Sequence, residues 1–142
     1  ELRDTKKENS QWYVPCRNLI FLSYALGLGE SEFIKNKMKS NVFVGFKNEG
    51  KESFPDTTKE FVDLINKISV KGSEGKCKVI APLIDKDKED IVLLGKKIGV
   101  SLKDTFSCYV NNKKHCGKCL ACMLRKEGFY WANVKDETEY GD

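Results

Sequence analysis

Apolar residues fall in short clusters along this chain, and the spacing inside each cluster predicts an element. Leu19, Ile20, Phe21 and Leu22 follow Pro15 as a run too continuous for a one-sided helix, so a largely buried helix is expected to start there. Gly27 and Gly29 weaken its far end, and Glu30 to Ser40 is polar enough to be an exposed helical extension or a loop. Asn41-Val42-Phe43-Val44-Gly45-Phe46 is β-branched and aromatic and predicts a short buried strand. The charged stretch from Lys47 to Asp56, with Gly50 and Pro55, reads as a loop. Thr57-Thr58-Lys59-Glu60 then has the Thr-x-x-Glu form of a capping box, and Phe61, Leu64, Ile65 and Ile68 recur on one helical face. Gly72 to Gly75 interrupts the chain before a second strand, Cys77-Lys78-Val79-Ile80-Ala81, closed by Pro82. Asp87 or a neighbour can cap a third helix with Ile91, Leu94 and Ile98 on one face and Gly99 past its end.

Strands separated by helices pair in parallel, so the fold class is α/β with a parallel sheet. Two strands leave both edges open and the helices half covered. The chain is therefore expected either to pair with another or to be the second half of a larger domain. Three segments follow from the pattern: a polar lead-in at 1–13, the α/β portion at 14–104, and a cysteine-bearing segment with its tail at 105–142.

Composition narrows the class. The chain has 142 residues, 40% hydrophobic and 32% charged, enough for one domain with an ordinary core. No run approaches the roughly 20 apolar residues a bilayer span requires, and Glu1 to Ser10 has no apolar run of the kind a signal peptide carries. Lysine and arginine number 25 against 21 acidic residues, a net charge of +4. That is weak for tracking nucleic-acid phosphates, so a nucleic acid is not the expected partner.

Cysteine changes the picture most. Of six, Cys108, Cys116, Cys119 and Cys122 fall within one short segment, whereas Cys16 and Cys77 stand apart. A disulfide framework would spread its cysteines through a small secreted scaffold; clustering points to metal binding in a reducing compartment, and a cytoplasmic location is expected. Four thiolates close a tetrahedral site and leave no open position, so zinc here would be structural. An iron–sulfur cluster is the rival, since Cys-x2-Cys-x2-Cys also opens the bacterial ferredoxin run, but the fourth cysteine followed by proline is missing. His115 adjoins Cys116 and is expected to be a solvated loop residue rather than a ligand. Cys16 and Cys77 are expected to be buried or half-buried small side chains. From chemistry alone, Arg17 is a surface charge and Asn18 a capping amide, Phe54-Pro55-Asp56 a turn plus N-cap, and Lys86, Lys88 and Arg125 solvated charges. No G-x-x-x-x-G-K-[ST] and no Gly-Gly-x-Asp-Ser occurs in the 142 residues.

These pieces together resemble the C-terminal half of the 7-cyano-7-deazaguanine synthase family of the queuosine pathway. Val14-Pro15-Cys16-Arg17-Asn18-Leu19-Ile20-Phe21-Leu22-Ser23 resembles its V-P-x-R-N-x-x-F-L-S, and Phe54-Pro55-Asp56 its Y-P-D. Ala81-Pro82-Leu83-Ile84-Asp85 with Lys88-Glu89-Asp90-Ile91 resembles its P-L-x-D-x-x-K-x-x-I. Thr105-Phe106-Ser107-Cys108-Tyr109 and Cys116-Gly117-Lys118-Cys119-Leu120-Ala121-Cys122-Met123-Leu124-Arg125 resemble its T-W-S-C-Y and C-G-x-C-x-x-C-x-x-R. The resemblance implies a Rossmann-like fold of the adenine-nucleotide α-hydrolase type and a zinc site of Cys108, Cys116, Cys119 and Cys122. It implies ATP with magnesium as a substrate, used to convert 7-carboxy-7-deazaguanine and ammonia to a nitrile through an adenylate and an amide. An anionic adenylate needs cationic and amide donors, which makes Arg17, Asn18 and Lys88 candidate catalytic residues and Arg17, Asn18 and Arg125 candidate nucleotide-binding residues. The family's S-G-G-x-D-S loop has no counterpart here, so a separate N-terminal half is the expected partner and the chain alone should not hydrolyse ATP. A homodimer is also implied. The family's Y-P-D-C-R becomes Phe54-Pro55-Asp56-Thr57-Thr58, which leaves open a divergent relative that adenylates another carboxylate; a zinc-stabilised nucleic-acid or protein binding module without catalysis is the other alternative.

Overall fold

The computed structural model describes residues 11–47, 50, 54–110 and 113–141. The lead-in at 1–10, most of the loop after Lys47 and the pair 111–112 lie outside them. The described chain parts into two compact units, one over residues 9–85 and one from Lys86 onward. No helix among the described residues is long and apolar enough to cross a membrane.

The first unit is α/β. It contains helix α1 (Arg17–Asn36), strand β1 (Asn41–Phe43), a 3-10 turn (Pro55–Thr57), helix α2 (Lys59–Gly72) and strand β2 (Lys78–Ile80). The two strands pair in parallel, Asn41 opposite Lys78, Val42 opposite Val79 and Phe43 opposite Ile80. Leu22 and Leu26 of α1, Val62 and Ile65 of α2, and Cys77 and Val79 form the core. Two polar ties fix the helices to β2 and to the segment just before it. Asn66 of α2 brackets Val79, its Nδ2 donating to the Val79 carbonyl (3.0 Å) and its Oδ1 accepting from the Val79 amide (2.9 Å), as a neighbouring strand would. The buried Glu30 carboxylate accepts from the amide of Lys76 (2.6 Å), the hydroxyl of Ser73 (3.1 Å) and the amide of Cys77 (3.4 Å).

Several local expectations shift. Helix α1 is one-sided rather than largely buried: Leu22 and Leu26 are covered, whereas Ile20, Phe21 and Tyr24 are exposed, because two strands and α2 offer only one face to pack on. Gly29 does not end it. A Cβ there would stand 2.3 Å from the Cys77 sulfur, so glycine is required by close approach. The helix runs to Asn36 and stops at Lys37 in the left-handed region. The cap of α2 is Thr58, whose hydroxyl accepts from the Phe61 amide, not Thr57. Its buried stripe is Val62, Ile65 and Ser69, one position round from the expected face, which leaves Leu64 and Ile68 exposed. Cys77 is buried as expected; Cys16 is exposed.

The second unit comprises helix α3 (Lys88–Lys97), a 3-10 turn (Leu102–Asp104), helix α4 (Leu120–Trp131) and a tail that returns along the cysteine segment. A capping box between Asp87 and Asp90 starts α3, and Gly99 ends it with φ +76°. The helix buries Val92 and Gly95, again one step from the expected stripe, and Ile98 is exposed. Val92 packs with Phe129 and Ala132, so α3 and α4 share a core. Gly128 makes this contact possible: a Cβ there would meet the Lys88 Cβ at 2.8 Å.

Candidate metal centre and the entry of the first helix

Cys119 is the N-cap residue of α4, and Cys122 lies one turn in on the same side. Gly117, with φ +69°, turns the chain so that Cys116 faces them, and Cys108 arrives from the preceding segment. The four sulfurs all lie within 4.8 Å of one another, with Cys116 and Cys122 at 4.0 Å. A tetrahedral ion with bonds of about 2.3 Å would hold sulfurs roughly 3.8 Å apart, so the donor set fits one ion. Backbone amides of Lys118 (3.5 Å) and Cys119 (3.3 Å) point at the Cys116 sulfur and draw its thiol below the ordinary value. Burial pushes the Cys122 thiol up to about 12. A bound cation would supply the charge needed to ionise it.

His115 is 4% exposed, which corrects the expectation of a solvated loop residue. Its Nε2 accepts from the Ser107 amide at 3.0 Å, and Phe106 and Tyr140 pack around the ring. Burial, then the Arg125 charge, lowers its pKa, in keeping with a neutral acceptor. It is not part of the sulfur cluster.

Arg125 is 7% exposed and is engaged by the protein itself. Nε donates to Thr138 (2.9 Å), Nη1 to Thr105 (2.9 Å) and Ser107 (3.2 Å), and Nη2 to the Leu102 carbonyl (2.8 Å). Asp136 lies 4.0 Å away and the Phe129 ring 5.0 Å beneath it. The solvated guanidinium expected from the sequence is thus a buried tie between α4, the 102–107 segment and the tail. Lys88 opens α3, with its stem against Gly128.

The other candidates lie in the first unit. Cys16 adopts a left-handed conformation (φ 59°) and starts α1 with no side-chain cap and no acidic residue in the first turn. Such an end presents backbone N–H groups and the positive pole of the helix dipole. Arg17 is exposed beside it and donates from Nε to Asn18 Oδ1 at 3.3 Å. Asn18 is buried and donates from Nδ2 to the Asp56 carbonyl at 3.3 Å, so the structure joins Arg17, Asn18 and the Phe54-Pro55-Asp56 turn. Tyr13 stacks on Phe54 with centroids 5.8 Å apart. The sequence predicts a turn plus N-cap at Phe54-Pro55-Asp56, and the turn forms, with Asp56 inside it. That residue caps nothing: Thr58 caps α2, and Asp56 is 9% exposed. The signal that could have exposed it is the Thr-Thr pair that follows, which supplies a better cap.

The class defined by these features is an α/β protein of parallel strands with a four-cysteine cluster able to bind a metal ion. The sequence matches the family model described as queuosine biosynthesis protein QueC over residues 1–133. The 7-cyano-7-deazaguanine synthase of Methanocaldococcus jannaschii is 43% identical over 136 residues, covering 90% of this chain and 56% of that protein. Those of Methanobrevibacter smithii (39% identical, 94% of this chain and 56% of that protein) and Rickettsia akari (38%, 90% and 57%) are similar to it over comparable spans. The chain belongs to the QueC family, whose fold is of the adenine-nucleotide α-hydrolase type. It spans little more than half the length of these curated relatives.

Proposed function

We propose that this chain is the C-terminal portion of a 7-cyano-7-deazaguanine synthase, converting 7-carboxy-7-deazaguanine and ammonia to the nitrile at the expense of ATP. The observation that carries the reading is the family match over residues 1–133 with relatives that bear this name. Residues 14–104 are the α/β ligase portion, and residues 105–142 carry the metal. The ion is zinc, structural because all four positions are filled by sulfur. Magnesium-bound ATP comes to a nucleotide loop in an N-terminal half, and without that half the chain is inactive. The positive end of α1 with Arg17 and Asn18 suits the substrate carboxylate and the adenylate made from it. Lys88, which opens α3 in the unit from Lys86 onward, is a separate candidate cation for the reaction. Arg125, held by four protein acceptors, serves as a positioning residue for the metal segment. The working protein is a cytoplasmic homodimer.

The test is a mass-spectrometric assay with ATP, magnesium, ammonium and 7-carboxy-7-deazaguanine, run on this chain alone and with the N-terminal half of a relative. Nitrile and AMP in the combined sample are expected, with neither from the chain alone. Absence of both products in the combined sample rejects the reading.

A further inference from the structure

Among the described residues of the unit formed by 9–85, two carboxylate-bearing residues are buried, and they differ. Glu30 is answered by three donors. Asp56, 9% exposed, has no hydrogen bond or ion pair to its side chain among the described residues. A recessed carboxylate without a partner costs free energy, and native structures keep few of them without a use. Its oxygens are not sealed, since no side-chain oxygen among the described residues is both fully buried and unpartnered. The group is therefore recessed yet reachable.

Its surroundings specify a ligand. The amide of Asn18 holds the Asp56 carbonyl at 3.3 Å, and Arg17 holds Asn18, so the backbone of Asp56 is tied to the uncapped entry of α1. Phe54, two residues before Asp56, stacks on Tyr13 with ring planes only 9° apart. One locus thus offers a positive end for an anion, flat aromatic side chains and a lone carboxylate. The complementary molecule is a planar heterocycle bearing an acid group and an edge of paired N–H donors. A 2-aminopyrimidinone ring has such an edge in its ring N–H and its exocyclic amine, and a carboxylate can accept both in a bidentate, charge-assisted pair.

We propose that Asp56 is the specificity-determining residue that accepts the 2-amino and ring N–H donors of the deazapurine. This rests on the synthase reading above and names the group that would select its substrate. The substitution of Thr57-Thr58 after Asp56 fits a division of labour in this chain. Thr58 caps α2 and Thr57 closes the 3-10 turn through the Phe54 carbonyl (3.0 Å), leaving Asp56 without a structural task.

The test compares binding of 7-carboxy-7-deazaguanine and its 2-desamino analogue by isothermal titration calorimetry, on the chain combined with the N-terminal half of a relative. The unmodified protein should prefer the 2-amino compound by about 10- to 100-fold, the range expected for a lost hydrogen bond to a charged group. Asp56→Asn and Asp56→Ala should bring the preference to within about threefold. The thermal midpoint of Asp56→Asn should stay unchanged or rise, since no internal partner is lost. A preference that survives in Asp56→Asn, a lowered midpoint, or failure of the unmodified protein to bind either compound overturns the proposal. Nitrile formation with an unchanged preference in Asp56→Asn defeats this inference alone; absence of both nitrile and binding defeats the synthase reading with it.

Discussion

Replacing Arg125 by methionine should unfold the metal-bearing unit or bring it close to unfolding. The side chain is 7% exposed, and its four hydrogen bonds tie α4 to two other segments, Leu102 to Ser107 and Thr138 in the tail. Methionine fills much of the volume but removes the guanidinium donor from three hydroxyls and from the Leu102 carbonyl, which keeps only its bonds from Thr105. Each bond to a charged donor is worth about 1.5–3 kcal/mol in isolation. Bonds from one group are not additive, so the loss is set closer to the ~3–5 kcal/mol seen when a buried charged network loses a member. A unit of this size has a total stability on the order of 3–9 kcal/mol. Urea titration followed by near-ultraviolet circular dichroism measures the stability, and competition with a chromogenic chelator measures metal retention. Metal affinity should fall by about 10- to 100-fold, as for other supporting shells. Arg125→Lys should lose nearly as much, because an ammonium cannot supply the fork that reaches Thr105, Ser107 and Leu102 together. A change in stability below ~0.5 kcal/mol in Arg125→Met, with ATP use abolished, would refute this reasoning and return the residue to the phosphate role its motif implies.

Two further outcomes are expected. Gly29→Ala should destabilise the first unit by about 1–3 kcal/mol, because its Cβ would fall 2.3 Å from the Cys77 sulfur; Gly29→Ala combined with Cys77→Ala should recover part of the loss in thermal unfolding. Burial raises the Asp136 pKa, but hydrogen bonds from Thr138 and Tyr140 and the nearby Arg125 charge more than offset this, so it lies below 3.8. Its contribution to stability is therefore complete above the unfolded value of about 3.9 and is lost as pH falls through the lower, folded value. The stability gap between the unmodified protein and Asp136→Asn should be widest near neutrality and should narrow toward pH 3, as read by denaturant titration.

The alternation of elements was legible because each turn carries its own chemistry. Gly72 to Gly75, the Asp87 cap and Gly99 end or start their helices where the sequence places them. The buried stripes were legible only in part: Ile65 lies in the core and Phe61 packs against it as expected, but Leu64 and Ile68 do not. In α2 the apolar pattern holds Val62 as well as Leu64 and Ile68, and neighbours on α1 and β2 choose Val62. A helical pattern states how wide the apolar face is, whereas its centre is set by what packs on it. The four cysteines were legible from spacing alone, since residues three apart at a helix start face one point. His115 was misread for a related reason. Its flanking Lys113 and Lys114 and the glycine at 117 suggest an open loop, yet the returning tail covers it, with the Gly141 amide bonded to the His115 carbonyl at 2.7 Å. A cover formed by residues so distant in sequence leaves no local trace.

The spacing of the last motif has a physical reading that its letters do not state. Arg125 follows Cys122 by three residues, so both project from adjoining turns of α4. Cys122 meets Cys108 in the sulfur cluster, and Arg125 meets Thr105 and Ser107 just before it in the chain. The two side chains therefore fasten the same short segment to the same helix, one through the sulfur cluster that can hold an ion and one through hydrogen bonds. Each link shortens the loop that the other must close, so either one alone faces the larger entropic cost. That coupling explains why a guanidinium is placed beside a sulfur cluster that already offers four ligands to one ion. It also means that chelation and Arg125→Met should weaken the same structural unit, with a combined loss smaller than the sum of the two.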